Sequence, residues 1–251
     1  MKSVQQARSS SVYRAAVTVG LIAYGVVHIL IAWIALQVAW GGSGEEASQQ
    51  GAMREMASTP LGSGLLWVVA IGLFALVIWQ GFELVLGERK ASAAGRIVVY
   101  LALGISAAKV AMGSGGSGEA GQKSMTARLM AETPGRILVV VIGLVVIAVA
   151  ARHFYKAYTK KFTEDLTGGV SDGTVMLGQA GYGAKGAALL IVGGLIAWAA
   201  ISSEPAKAGG LDTALRTVKE QPFGTALLTL MALGIACFGV YCFVWSRNAK
   251  T

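Results

Sequence analysis

The chain has 251 residues, of which 55% are hydrophobic and only 14% are charged, and its formal net charge is +8. Soluble domains carry about 25% charged residues, so this composition excludes an ordinary soluble globular protein. A membrane span needs about 20 apolar residues, and the chain is long enough for several of them. The sequence therefore predicts an all-α integral membrane protein.

Six apolar runs follow one another along the chain, and each is a predicted transmembrane helix. Most approach the roughly 20 residues that a helix needs to cross the hydrocarbon layer, although the third and fourth runs are shorter. In chain order the predicted spans are 17–40, 65–86, 97–112, 137–151, 181–201 and 223–245.

The six runs form three pairs, and the polar linker inside each pair ends in the same way, with an Arg and then a Pro six residues later. These residues are Arg54 and Pro60, Arg128 and Pro134, and Arg216 and Pro222. Repetition of this kind determines the architecture, and it predicts three pseudo-symmetric helical hairpins. The predicted segments are a cytoplasmic N-terminal segment at 1–16, repeat 1 at 17–87, an inner linker at 88–94, repeat 2 at 95–162, a second inner linker at 163–177, and repeat 3 with a short cytoplasmic tail at 178–251.

Each linker also has mostly apolar residues eight, seven and four positions before its Pro. This spacing places three side chains on one side of a helix. We therefore expect a short external amphipathic helix in every linker, lying at the membrane surface with its apolar side toward lipid. The residues are Ala52, Met53 and Met56, then Thr126, Ala127 and Met130, then Ala214, Leu215 and Val218.

The linkers also support a resemblance to a known family. They read Q-G-A-M-R-E-M-A-S-T-P-L-G at 50–62, T-A-R-L-M-A-E-T-P-G at 126–135 and T-A-L-R-T-V-K-E-Q-P-F-G at 213–224. Together with the three units, these strings resemble the bacterial membrane proteins called domain of unknown function 1206. The resemblance covers nearly the whole chain. It implies three tandem two-helix repeats and brings no assigned activity.

The basic residues are unevenly distributed between the two sides of the predicted bundle. Thirteen of the 21, including Lys185, lie on the side of the chain termini, and seven lie on the linker side. Because basic loops stay cytoplasmic, the sequence predicts a multi-pass protein of the bacterial plasma membrane with both termini in the cytoplasm. The positive charge is then a consequence of topology. It predicts attraction to anionic lipids at the inner face rather than nucleic-acid binding.

The three linker arginines are the first candidate site. Arg54, Arg128 and Arg216 could together contact an anionic ligand or a partner outside the membrane, because a guanidinium presents a rigid fork of donors. Their helical position, however, lies opposite the apolar side of each predicted linker helix. A solvated face is therefore the alternative interpretation.

Polar residues inside the spans are the second set of candidates, because burying a charge in lipid is costly. His28 is either a functional residue or a neutral imidazole bonded to a neighbouring carbonyl. In the repeat alignment, Gln80 matches His153 and Glu83 matches Lys156, which predicts either pairing between repeats or snorkelling to the interface. Gln37 and Lys109 complete the set, and Lys109 is expected to snorkel outward.

Signatures of catalysis are missing from the sequence, which contains no G-x-S-x-G, H-E-x-x-H or Walker loop. We therefore expect a non-enzymatic protein without cofactor or metal, most simply a structural or accessory subunit that binds membrane partners or lipids. The alternative is a small permease or channel with a polar path near His28, Gln37, Lys109 and Glu83. An intramembrane enzyme ranks third.

Overall fold

The computed structural model describes residues 11–41, 49–86, 90–113, 118–168 and 170–249, and these are almost entirely helical. Two short 3₁₀ turns, Lys161–Asp165 and Pro205–Lys207, lie between longer helices. The α-helices of the described ranges are α1 (Ser11–Ala39), α2 (Gln49–Ala57), α3 (Pro60–Leu86), α4 (Lys90–Ala111), α5 (Gly118–Met130), α6 (Thr133–Thr159), α7 (Asp172–Ser202), α8 (Leu211–Lys219) and α9 (Gly224–Asn248).

Five of the described helices are long and apolar enough to cross a membrane, namely α1, α3, α6, α7 and α9. The third predicted span differs. Helix α4 has 22 residues, and within its described part the stretch Tyr100–Ala111 is a shorter apolar segment than the other five. The five long helices suggest a membrane-embedded protein.

The chain divides into two compact units, which are described separately below. The larger unit comprises Met1–Gln49 and Glu119–Thr251, and therefore contains α1 and the helices from α5 onward. The smaller unit, Gln50–Gly118, contains α3 and α4. The boundary between the units falls inside the first and second predicted repeats, so these units do not coincide with the hairpins predicted from the sequence.

The main helix pairs join one repeat to the next. In the smaller unit, α3 of repeat 1 packs on α4 of repeat 2. In the larger unit, α6 of repeat 2 packs on α7 of repeat 3, and α9 of repeat 3 packs on α1 of repeat 1. The second helix of every repeat thus packs on the first helix of the following one, in cyclic order. Helices α7 and α9, which belong to the same repeat, are also in contact.

A small apolar cluster occupies the linker end of each of these helix pairs, and the three clusters have matching compositions. Each one combines residues of a second helix, the following first helix and a linker. The residues at one shared position, four after a glycine in the first turn of each second helix, are Leu66, Val139 and Leu228, and all three are buried. The threefold repetition seen in the sequence is therefore also present in the core.

The apolar side of linker helix α8 packs on protein, which differs from the expected position on lipid. Helix α8 contacts α1, α7 and α9, and its Leu215 and Val218 belong to the same apolar cluster as Leu228. In α5, Met130 is buried as expected but Ala127 is exposed. The apolar side of α8 is thus buried against neighbouring helix ends, where it gains close packing that a lipid surface does not provide.

Small residues allow the helix pairs of the larger unit to approach closely. A Cβ added at Gly25 of α1 would lie 2.8 Å from the carbonyl oxygen of Gly239 of α9. A Cβ added at Gly143 of α6 would lie 2.9 Å from the carbonyl oxygen of Gly193 of α7. Lipid supplies no hydrophobic force between helices, so association depends on such close packing.

Candidate functional site

Two adjoining groups of aromatic and cationic side chains lie in the larger unit, in the half away from the linker helices α5 and α8. The first group, here called the Lys185 cluster, consists of Tyr24 and His28 of α1, Lys185 of α7 and Phe238 of α9. It forms because α7 and α9 are nearly in backbone contact, since a Cβ at Gly181 would lie 2.6 Å from the Cα of Phe238. Three helices from two repeats therefore contribute side chains to one site.

The ammonium group of Lys185 is held by two aromatic residues. It donates a hydrogen bond of 2.6 Å to the hydroxyl oxygen of Tyr24. Its Nζ also lies 3.9 Å from the ring centroid of Phe238 and 4.9 Å from that of Tyr24. These distances are well inside the range of cation–π attraction. Among the described residues, no carboxylate lies within ion-pair distance of this ammonium group. The two aromatic rings therefore compensate its positive charge.

The sequence analysis counted Lys185 only among the basic residues on the side of the chain termini. It is the fourteenth residue of α7, about 20 Å along the helix axis from the first residue. Its side chain is only partly exposed. The aromatic rings of α1 and α9 are nearer to the ammonium group than bulk water is.

His28 is buried, and its environment matches the second of its two interpretations. Nδ1 lies 2.8 Å from the carbonyl oxygen of Tyr24 one turn earlier, and since a carbonyl only accepts, Nδ1 is the donor. The imidazole centroid lies 4.3 Å from the Tyr24 ring and 4.8 Å from the Phe238 ring. His28 thus acts as one aromatic wall of the Lys185 cluster.

The second group, here called the Tyr182 cluster, lies around Phe162, Tyr182 and Tyr241 and is continuous with the first. Phe162 is fully buried, stacks on Tyr182 at a centroid distance of 5.3 Å, and accepts a 3.0 Å hydrogen bond at its carbonyl oxygen from the hydroxyl of Tyr241. Tyr182 also meets Phe238 edge to face at 5.2 Å. The loop after α6 is therefore anchored to both α7 and α9.

His153 and Lys156 of α6 border the Tyr182 cluster. Lys156 forms an ion pair of 3.4 Å with Asp165, and its Nζ lies 5.6 Å from the Tyr182 ring centroid. The imidazole of His153 is 5.7 Å from the same ring, and its Nδ1 bonds the carbonyl oxygen of Val149. Lys156 thus has a partner within its own unit, contributed by the loop that follows α6.

The other predicted polar residues are distributed over both units. Gln37 lies nine residues after His28 on α1, about 13 Å further along the axis, and is partly exposed. In the smaller unit, Gln80 is buried and Lys109 is exposed. The side chain of Glu83 lies outside the described part of the structure. The four residues of the predicted path are therefore divided between two units, with His28 and Gln37 in the larger one.

The three linker arginines differ in their surroundings. Arg216 is anchored within its own helix by a 2.7 Å ion pair with Asp212, whose carboxylate is buried. Arg128 is exposed, and Arg54 is partly exposed. Arg54 belongs to the smaller unit and the other two belong to the larger unit. An internal carboxylate partner at Arg216 is a feature that the repeat alignment did not predict.

Metal-ligating side chains do not cluster in the ranges that the structure describes. No group of three His, Cys, Asp or Glu side chains is close enough there to hold a metal ion. Cys242 is a buried free thiol and Cys237 a partly exposed one.

The sequence analysis did not single out most residues of these clusters as site residues. One signal is present in the sequence, because aligning the first helices of repeats 1 and 3 on A-Y-G-V-V-H and A-K-G-A-A-L places Tyr24 and Lys185 in the same column. Equivalent positions on the first helices of two repeats lie at matching depths, so their side chains can meet between α1 and α7. No comparable pattern marked Tyr182, Phe238 or Tyr241.

These features describe an all-helical protein of tandem repeats with apolar helices suited to a membrane. The chain matches the family described as Domain of Unknown Function (DUF1206) three times, over residues 19–85, 91–160 and 180–249, and it belongs to that family. It is also similar to a protein of Bacillus subtilis (strain 168) described as "Uncharacterized protein YxxB", with 28% identity over 238 residues. That alignment covers 88% of this chain and 86% of the relative. No solved structure matches the chain.

Proposed function

We propose that the protein is a non-enzymatic structural or accessory subunit of the bacterial plasma membrane that binds membrane-protein partners or lipids. In this proposal it crosses the membrane six times, with α4 as the sixth span and both termini in the cytoplasm. Helix α4 is included as a span because it is equivalent to α1 and α7. All three are the first helices of their repeats, and each packs on the second helix of the preceding repeat in the cyclic order.

The packing of polar groups inside the larger unit carries this proposal. Lys185 of α7 is bound to Tyr24 of α1 and to the face of Phe238 of α9, and the His28 ring of α1 also packs on the Phe238 ring. These groups therefore hold helices together instead of facing an open path. A rigid bundle with an apolar exterior is suited to binding neighbours in the membrane.

Helix α6 offers the surface on which the proposal can be tested. Ile142, Val145 and Val149 are exposed on it, whereas Val139 is buried against α7. A photocrosslinking residue at Val145, in the full chain and in native membranes, should form a discrete adduct with one membrane protein. The same residue at Val139 should not. Recovery of the uncrosslinked chain alone from both positions would contradict an accessory role.

The second candidate is the small permease or channel, and one observation favours it. The Oε1 atom of Gln80 is buried and has no hydrogen-bond partner within the described residues. An amide oxygen in this state is costly and suits a transient ligand or water. Purified protein in proteoliposomes should then release a trapped solute or ion faster than empty liposomes, and Gln80→Leu should slow that release. Equal release with and without the protein would exclude this candidate.

A further inference from the structure

A groove lies at the linker end of the larger unit, beside the start of α9. It is shallow and widely open, with a volume of about 770 Å³. Its wall combines the end of α1, the end of α8 and the first three turns of α9. The residues on which the following argument depends are Trp40, Lys219, Phe223, Thr229, Leu230 and Leu233.

The polarity of the groove changes along α9. Lys219 and Gln221 lie at its outer end, in the segment between α8 and α9. Leu230 and Leu233 follow one to three turns into α9, and they are 68% and 51% exposed. A charged end followed by an apolar channel parallel to a spanning helix matches the order of phosphate and acyl chain in a phospholipid.

Two large aromatic residues mark the boundary between these parts. Trp40 is 76% exposed and Phe223 is 85% exposed, and they stand just beyond the end of α1 and just before the start of α9. Exposed aromatic side chains at span ends are typical of the membrane–water interface. The boundary therefore lies where the headgroup layer would meet the hydrocarbon.

Lys219 is the only charged residue among the described ones that line the groove, and it retains capacity for an anionic ligand. Its ammonium group donates to the carbonyl oxygen of Val38 in the last turn of α1, which orients it across the groove. An ammonium has three donor protons, so further donors remain for a phosphate oxygen. The start of α9 adds the positive end of a helix dipole at the same place.

We propose that this groove binds one phospholipid with an anionic phosphodiester headgroup. The phosphate lies at Lys219 and an acyl chain lies along Leu230 and Leu233. The inference deepens the proposed function and depends on it in one respect, since the linker ends of the helices must face a membrane surface. Lipid retention and the photocrosslinking at Val145 are separate measurements, so the failure of one can be distinguished from the failure of the other.

The test is native mass spectrometry of the delipidated full chain in detergent, with added phosphatidylglycerol. Lys219→Ala should weaken its binding about tenfold, because a charge-assisted hydrogen bond is lost. Thr229→Trp should weaken it to a similar extent by filling the groove while Lys219 stays in place. Two matched controls, Lys207→Ala and Leu227→Trp, replace residues outside the groove and should bind like the unmodified chain.

The ligand class is tested with two further probes. Diacylglycerol with the same acyl chains should bind at least about tenfold more weakly than phosphatidylglycerol, and inorganic phosphate should not displace the lipid. The proposal is overturned if diacylglycerol binds equally well, if inorganic phosphate displaces the lipid, or if either groove variant retains full binding. Loss of binding in a control variant to the same extent as in the groove variants would also overturn it.

Discussion

Replacing Gly181 with Ala should loosen the contact between α7 and α9 that supports the Lys185 cluster. The added Cβ would lie 2.6 Å from the Cα of Phe238 and 2.8 Å from its backbone nitrogen, whereas ordinary contacts are 3.4–4 Å. Backbone atoms of a helix cannot move away singly, so the two helices must separate by roughly 1 Å. Overpacking of this kind costs about 1–3 kcal/mol.

Gly183, two residues further along α7, provides a matched control. A Cβ added there meets nothing within 4 Å. Both substitutions bring the same intrinsic gain in helix propensity, up to about 1 kcal/mol, so this term cancels when the two variants are compared. The difference between Gly181→Ala and Gly183→Ala therefore measures the packing cost alone.

The assay is reversible unfolding in mixed micelles, followed by helical circular dichroism as the fraction of denaturing detergent rises. Gly181→Ala should have a free energy of unfolding about 1–3 kcal/mol below that of Gly183→Ala. Equal values for the two variants would refute the close approach of α7 and α9 at Phe238.

Three further predictions concern hydrogen bonds and topology. The double variant Tyr24→Phe with Lys185→Met should show a coupling free energy of about 0.5–1.5 kcal/mol in a double-mutant cycle of unfolding, because the two side chains bond directly. Tyr241→Phe should lower the free energy of unfolding by about 1 kcal/mol, because the bond to the Phe162 carbonyl is lost. Of single cysteines placed at Asn248 and Gln221, in a chain without the native thiols, only the one at Gln221 should react with an impermeant maleimide in intact cells, and the one at Asn248 should react only after the cells are permeabilised.

The outcomes that would contradict these predictions are equally specific. Additive effects of Tyr24→Phe and Lys185→Met would show that the pair does not interact. Tyr158→Phe is the control for Tyr241→Phe, because Tyr158 is 87% exposed; equal losses from the two substitutions would remove the role given to the buried hydroxyl. Labelling of both cysteines from the same side would contradict the arrangement of α9 as a span.

The candidate site was only partly predictable from the sequence. The bond of His28 to a neighbouring carbonyl was among the expected alternatives, because the i−4 carbonyl is always within reach in a helix. The direction of the Lys185 side chain was not predictable. Its aromatic partners come from α1 and α9, more than 50 residues away in sequence on either side.

The linker helices show the same limit. The spacing of apolar residues before Pro222 predicted which side of α8 is apolar, and Leu215 and Val218 are indeed buried. The spacing did not show what covers that side, which proved to be the ends of α1, α7 and α9 rather than lipid.

By itself, the sequence determined the helical character, the threefold repetition and the family, because apolar length and linker pattern are local properties that each repeat carries in full. The tertiary structure decided which helices are partners. Each second helix packs on the first helix of the following repeat, and α9 packs on α1. The pairing of helices depends on contacts such as Gly25 with Gly239 and Tyr24 with Lys185. These residues are far apart in sequence, so their contact follows only from the positions of both backbones in the folded protein.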